Sequence, residues 1–175
     1  ADRVVFPGVG GIRDCMDAIR RLECDQLLEQ AITVERKPVL AICVGMQSLM
    51  TASEENGGVA CLNQLPGEVR FFGSPHQEAD GTRLKVPHMG WNQVVQKQAH
   101  PLWTGIESGS HFYFVHSYHV VPDDPGLVVG TFDYGLAGCA ALARDNVFAT
   151  QFHPEKSHKA GLTLLKNFLS WDGTC

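Results

Sequence analysis

The sequence predicts an α/β three-layer sandwich built on a central mixed, mostly parallel sheet. Two observations carry this expectation. The first quarter of the chain alternates buried strand, glycine turn and helix, and the remainder is a series of short β-branched and aromatic runs closed by one amphipathic helix. A length of 175 residues with 44% hydrophobic content suits one core, so a single domain over residues 1–175 is expected.

Residues 3–6 read as a short buried strand, and P-G-V-G-G at 7–11 turns the chain into a helical pattern that runs through Leu22. Asp25 is placed to cap a second helix over 26–34, and Pro38 ends that pattern. Residues 39–42 form another buried strand with Cys43 at its end, and 46–52 are good helix formers. Strand-like runs follow within 68–95, 112–121, 127–132 and 147–152, separated by Gly, Pro, Asn and Asp. A last helix over 160–171 is expected to present Leu162, Leu165, Phe168 and Leu169 to the sheet.

The bulk numbers exclude several classes of function. A net charge of -5 gives no basic field for a phosphate backbone or an anionic bilayer, so neither nucleic acid nor membrane is expected as a partner. The six cysteines, Cys15, Cys24, Cys43, Cys61, Cys139 and Cys175, form no C-x-x-C pair, which leaves zinc unsupported and makes a reducing cytoplasmic compartment the simpler reading. Among the eight histidines, His111, His116 and His119 are the best metal candidates, but strand alternation turns His116 away from the other two.

Chemistry concentrates at three short segments. In A-I-C-V-G, residues 41–45, small residues flank Cys43 two positions on either side, the spacing that lets a strand turn sharply into a helix with a nucleophile at its tip. A helix N-terminus lowers a thiol pKa, so thiolate is expected there; the competing reading is a buried packing cysteine. In Q-F-H-P-E, His153 stands at a strand end, and Glu155 can fold back onto one imidazole nitrogen to fix the tautomer that serves as base. The P-G-V-G loop can aim backbone N–H groups at an oxyanion; without a following Lys-Ser/Thr it is not a Walker loop.

P-G-V-G, A-I-C-V-G-M-Q and Q-F-H-P-E, in that order and across nearly the whole chain, resemble the class I, triad-type glutamine amidotransferases. More narrowly, P-H-M-G-W-N, Y-F-V-H-S-Y and H-P-E-K-S resemble the glutaminase subunits of imidazole glycerol phosphate synthases of histidine biosynthesis. The resemblance implies hydrolysis of L-glutamine through a cysteine thioester by Cys43, His153 and Glu155, with ammonia passed to a (β/α)8-barrel synthase subunit in a heterodimer and no metal or organic cofactor. It implies an oxyanion hole from the N–H groups of Gly10 and Val44, with Val9 in a segment that flips to complete it. Gln47, Ser117 and Tyr118 are implied to hold the amino-acid end of glutamine, and Trp91, Tyr113 and Lys156 to face the partner.

Two departures from the family pattern stand out. Ala41 occupies a place where the family usually has glycine, and the opening strand with its D-Y-G-x-G-N-like loop is absent, a segment of about 30 residues if sized as one βα unit. The alternatives are the glutaminase of another class I amidotransferase of the anthranilate synthase type, a free-standing γ-glutamyl hydrolase, or an inactive partner-binding domain.

Overall fold

The computed structural model describes residues 1–73, 81 and 83–174. The chain begins with β1 (Val4–Gly8), α1 (Ile12–Arg21), α2 (Cys24–Glu29) running into a π turn at Gln30–Val34, and β2 (Val39–Cys43). β1 and β2 pair in parallel, with Gly8 opposite Cys43. Every residue of β2 is buried. Leu40 and Ile42 enter one core while Val39 and Ala41 enter the other, which is why this strand reads as a continuous apolar run instead of alternating.

A short α3 (Val44–Ser48) follows, then β3 (Ala52–Ser53), β4 (Val59–Ala60), β5 (Gly67–Phe71), β6 (His88–Gln96), β7 (Ser110–His116), β8 (Tyr118–Pro122), β9 (Val128–Asp133), β10 (Ala137–Arg144), β11 (Val147–Thr150) and α4 (His158–Ser170). Seven strands form the main sheet in the order β1-β2-β11-β10-β9-β6-β7, and a smaller sheet has the order β4-β3-β5-β8. The core on one face contains Leu164, Phe168 and Trp171 from α4 and its C-terminal end, together with Phe112, Phe114, Phe148 and Phe152. The opposite face is covered by α2, α3 and the small sheet, through Leu28, Met46, Leu49, Val69 and Val120. These are the three layers expected of an α/β sandwich.

The main sheet is mixed, but only β1–β2 and β2–β11 are parallel; its other four neighbour pairs among the described residues are antiparallel. The expectation of a mostly parallel sheet is corrected accordingly. Parallel pairing is confined to the edge whose strand ends carry Cys43 and His153: α1 and α2 form the crossover from β1 to β2, and α3 with β3 to β10 intervenes between β2 and β11.

Several local expectations are also corrected. The expected helix over 46–52 ends at Ser48, and Ala52 begins a strand, because residues 49–51 turn to bring Leu49 and Met50 into the core. Asp25 lies inside the first turn of α2 and not at its cap, a position taken by Glu23 in a left-handed conformation. The run 112–121 is two strands in different sheets, broken at Ser117. In α4 the buried face is Gly161, Leu164 and Phe168, with Leu165 partly buried, whereas Leu162 and Leu169 are 63% and 69% exposed. Gly161 sets that rotation, since a Cβ there would stand 1.9 Å from the Pro154 carbonyl oxygen. His76 and Cys175 lie outside the described residues.

Candidate active site

The elbow expected at Cys43 is present. Cys43 caps α3 with φ 54° and ψ -111°, a conformation that costs a non-glycine residue of order 1–3 kcal/mol and is held by its surroundings. Gly45 permits the turn: a Cβ on it would lie 2.0 Å from the Phe6 carbonyl oxygen. Gly8 plays the matching part on β1, where a Cβ would meet Gly45 N at 2.8 Å. The P-G-V-G loop therefore lies directly against the first turn of α3. Ala41 is fully buried in the second core, so its methyl fills packing space beneath the elbow.

His153 follows β11 and is clamped by backbone contacts to β7. Its N–H donates to the Tyr113 carbonyl at 2.9 Å, while Ser157 Oγ donates to the His153 carbonyl at 2.6 Å and accepts from Tyr113 N–H at 2.9 Å. Its Nδ1 lies 2.7 Å from Glu155 Oε1. A carboxylate only accepts, so Nδ1 carries a proton, and in the neutral ring the lone pair is then on Nε2. That Nε2 is buried and without a hydrogen-bond partner.

His153 and Cys43 line one cavity of roughly 440 Å³, shared with Val9, Gly10, Val44, Gln47, Ser117, Tyr118 and Lys156. The residues expected to bind substrate or oxyanion thus converge on one place. Trp91 and Tyr113 lie outside the cavity; their rings meet edge-on at 5.9 Å, and Lys156 Nζ sits 5.9 Å from the Tyr113 ring centre. These three form a continuous patch, which Lys156 joins to the cavity lining.

Cys43 is a thiol at rest. Burial pushes its pKa up to about 11, against the opposing pull of the Val44 N–H and of the Gln151 amide, which donates to Sγ at 3.7 Å. The expectation of a lowered pKa is corrected: one turn of helix stabilises the thiolate less than dehydration destabilises it. The Val9 carbonyl accepts from the Cys15 thiol at 3.3 Å, and across the planar trans peptide the Gly10 N–H points the opposite way, away from that thiol.

Four residues that the sequence did not assign to this site belong here. Glu55 brings a carboxylate to the cavity wall, and His116 and Pro87 line it as well. Gln151 accepts from Gln47 Nε2 at 3.1 Å through Oε1 while donating to Cys43. His116 bonds to His88 rather than joining His111 and His119; among the described residues no cluster of His, Cys, Asp and Glu has a metal-binding arrangement.

A strained cysteine elbow, a histidine beside a carboxylate and a glycine loop against the same helix are the parts that a cysteine-nucleophile hydrolase requires. The family profile described as glutamine amidotransferase class-I matches residues 1–171, and the chain belongs to that family. It is 58% identical over 173 residues to imidazole glycerol phosphate synthase subunit HisH of Pseudomonas putida, covering 99% of this chain and 80% of the relative. It is 56% identical to the protein of the same name from Acinetobacter baylyi, covering 98% and 80%. Among solved structures, a glutamine amidotransferase superposes with a TM-score of 0.70 at 16% identity, over 99% of this chain and 80% of that one. The glutaminase domain of Trypanosoma brucei CTPS with bound acivicin superposes at 0.61 with 15% identity, over 100% and 75%. These distant structures share the fold. No helix among the described residues is long and apolar enough to cross a membrane.

Proposed function

We propose that the chain is the glutaminase subunit of an imidazole glycerol phosphate synthase, hydrolysing L-glutamine to glutamate and ammonia for a (β/α)8-barrel partner. The observation that carries this reading is the bare, buried Nε2 of His153, fixed by Glu155 in the cavity that holds Cys43. The identities of 56–58% to HisH subunits support the choice of synthase.

Because Cys43 is protonated at rest, His153 takes its proton as sulfur attacks the side-chain amide carbon. The oxyanion that develops is met by N–H groups of the Gly10 and Val44 segments, where one such donor is worth ~2.7–4 kcal/mol. His153 then protonates the departing ammonia, and water repeats the attack on the γ-glutamyl thioester, returning the thiol. The Glu55 carboxylate suits the α-ammonium of glutamine, with Gln47, Ser117 and Tyr118 around the same end. Trp91, Tyr113 and Lys156, with the exposed Met89, form the face offered to the barrel. The chemistry draws only on side chains, backbone N–H groups and water, so the cytoplasmic heterodimer needs no cofactor.

The test is glutamate release with and without the barrel subunit and its ligand. Cys43→Ala is expected to abolish release while Cys139→Ala, near the start of β10 and outside the cavity lining, retains it, and the barrel subunit should stimulate the unsubstituted chain strongly. Equal activity in the two variants would remove Cys43 from the mechanism, and a fast partner-independent rate would favour a free-standing hydrolase.

A further inference from the structure

His116 on β7, in the cavity wall, and His88 on β6, behind it, face each other as a cross-strand pair and are both buried. His88 Nδ1 and His116 Nε2 are 2.9 Å apart. The far nitrogen of each ring has its own partner: Asn92 Nδ2 at 3.2 Å from His88 Nε2, and the Tyr118 carbonyl at 2.7 Å from His116 Nδ1.

The two ends dictate every proton between them. Asn92 Oδ1 accepts from the Gln93 N–H and its Nδ2 donates to the Asp133 carbonyl at 2.7 Å, so the amide cannot be turned around. Asn92 therefore donates to His88 Nε2, which must be bare. His88 carries its proton on Nδ1 and donates to His116 Nε2, and His116 donates from Nδ1 to the Tyr118 carbonyl. An added proton on either ring would set two donors against each other, in line with burial holding both pKa values down, to about 4 for His88 and about 3 for His116. The Tyr118 carbonyl also accepts from Gln47 Nε2 at 3.2 Å, and Gln47 donates onward to Gln151, which donates to Cys43 Sγ.

We propose that His88 is a positioning residue for the glutamine pocket, acting through His116 in a one-directional hydrogen-bond relay that fixes the Ser117–Tyr118 corner and the Gln47 amide. His88 itself does not line the cavity, whereas His116, Ser117, Tyr118 and Gln47 do. The relay starts on β6 at Asn92, the neighbour of Trp91. Its kinetic consequence rests on the glutaminase reading; its tautomers do not.

Two measurements test it. Imidazole nitrogen-15 shifts of the unsubstituted protein at neutral pH are expected to show both His88 and His116 protonated at Nδ1, the less common tautomer of free histidine; an Nε2–H signal from either overturns the relay. His88→Phe keeps the ring stacking on Phe114 and Tyr134 but removes both nitrogens. It is expected to raise KM for glutamine about three- to tenfold, the loss of one hydrogen bond's orientation, with a smaller change in kcat. His88→Gln, which can accept and donate in the same direction, should recover most of that loss. An unchanged KM in His88→Phe, or no recovery in His88→Gln, refutes the positioning role. If His88→Phe does not fold, the tautomer measurement still decides. Absence of glutamine turnover in the unsubstituted protein would instead sink the glutaminase reading.

Discussion

Glu155→Ala measures how much the orienting carboxylate contributes. In the structure it accepts from His153 Nδ1 at 2.7 Å, a length typical of a charge-assisted bond, which is worth about 1.5–3 kcal/mol net. His153 is almost fully buried, but the Glu155 side chain is 47% exposed, so water can reach Nδ1 once the carboxylate is gone. Screening and replacement by water reduce the loss to about 1–2 kcal/mol, or roughly 5- to 30-fold in kcat. KM should stay within about twofold, because Glu155 is not among the cavity-lining residues. His153→Ala, which removes the base itself, should cost ~10²- to 10⁴-fold. The assay is steady-state glutamate release in the presence of the barrel subunit. A Glu155→Ala enzyme with kcat within threefold of the parent would refute the tautomer-fixing role, and one as impaired as His153→Ala would mean that the carboxylate does more than orient.

Two pH dependences follow from the burial of Cys43 and of three histidines. With the Cys43 pKa raised to about 11 by burial, alkylation of Cys43 by neutral iodoacetamide in the resting protein should climb about tenfold per pH unit from 7 to 9.5, since only thiolate reacts; a plateau below pH 8 would show a preformed thiolate–imidazolium pair. His88, His100 and His116 are held neutral by burial, with pKa values lowered from 6.5 to about 4, 4 and 3. The unfolded chain therefore binds more protons than the folded one below pH 6.5, and stability is lost as pH falls from 6.5 towards 4, with a slope of at most about 1.4 kcal/mol per pH unit for each histidine. Urea denaturation midpoints that stay flat across that window would contradict the buried neutral state.

The residues whose role depends on local chain geometry were legible before the structure. Cys43 announced itself by Ala41 and Gly45, and His153 by Pro154 and Glu155, because an elbow and a strand-end turn each need particular residues at short spacing. The same holds for β2 and β11, whose apolar runs reflect burial on both faces; β1, expected as a buried strand, is instead the edge of the sheet, with Val5 51% exposed. What local pattern could not show was set by distant neighbours. β10, A-G-C-A-A-L-A-R, carries no β-branched residue and is not expected as a strand; its place at the middle of the sheet favours small side chains, and a Cβ on Gly138 would meet the Phe132 ring at 2.2 Å. Glu55, Gln151 and the His88–His116 pair reach the site from separate elements and have no shared motif. The Cys43 pKa was misjudged because the helix argument is local while dehydration comes from the whole fold. The α4 face was misplaced because Leu162 and Leu169 fit helical spacing as well as Leu164 does, and only the Pro154–Gly161 contact selects between them.

The central claim is that Cys43 is the covalent nucleophile. Acid quenching of the protein during glutamine turnover, followed by peptide mapping, tests it most directly. A γ-glutamyl group on the peptide containing Cys43, absent from Cys43→Ala, is the expected result. Turnover with the adduct on Cys15 or Cys61, or with no covalent adduct on any cysteine under conditions that trap the thioester, would contradict it.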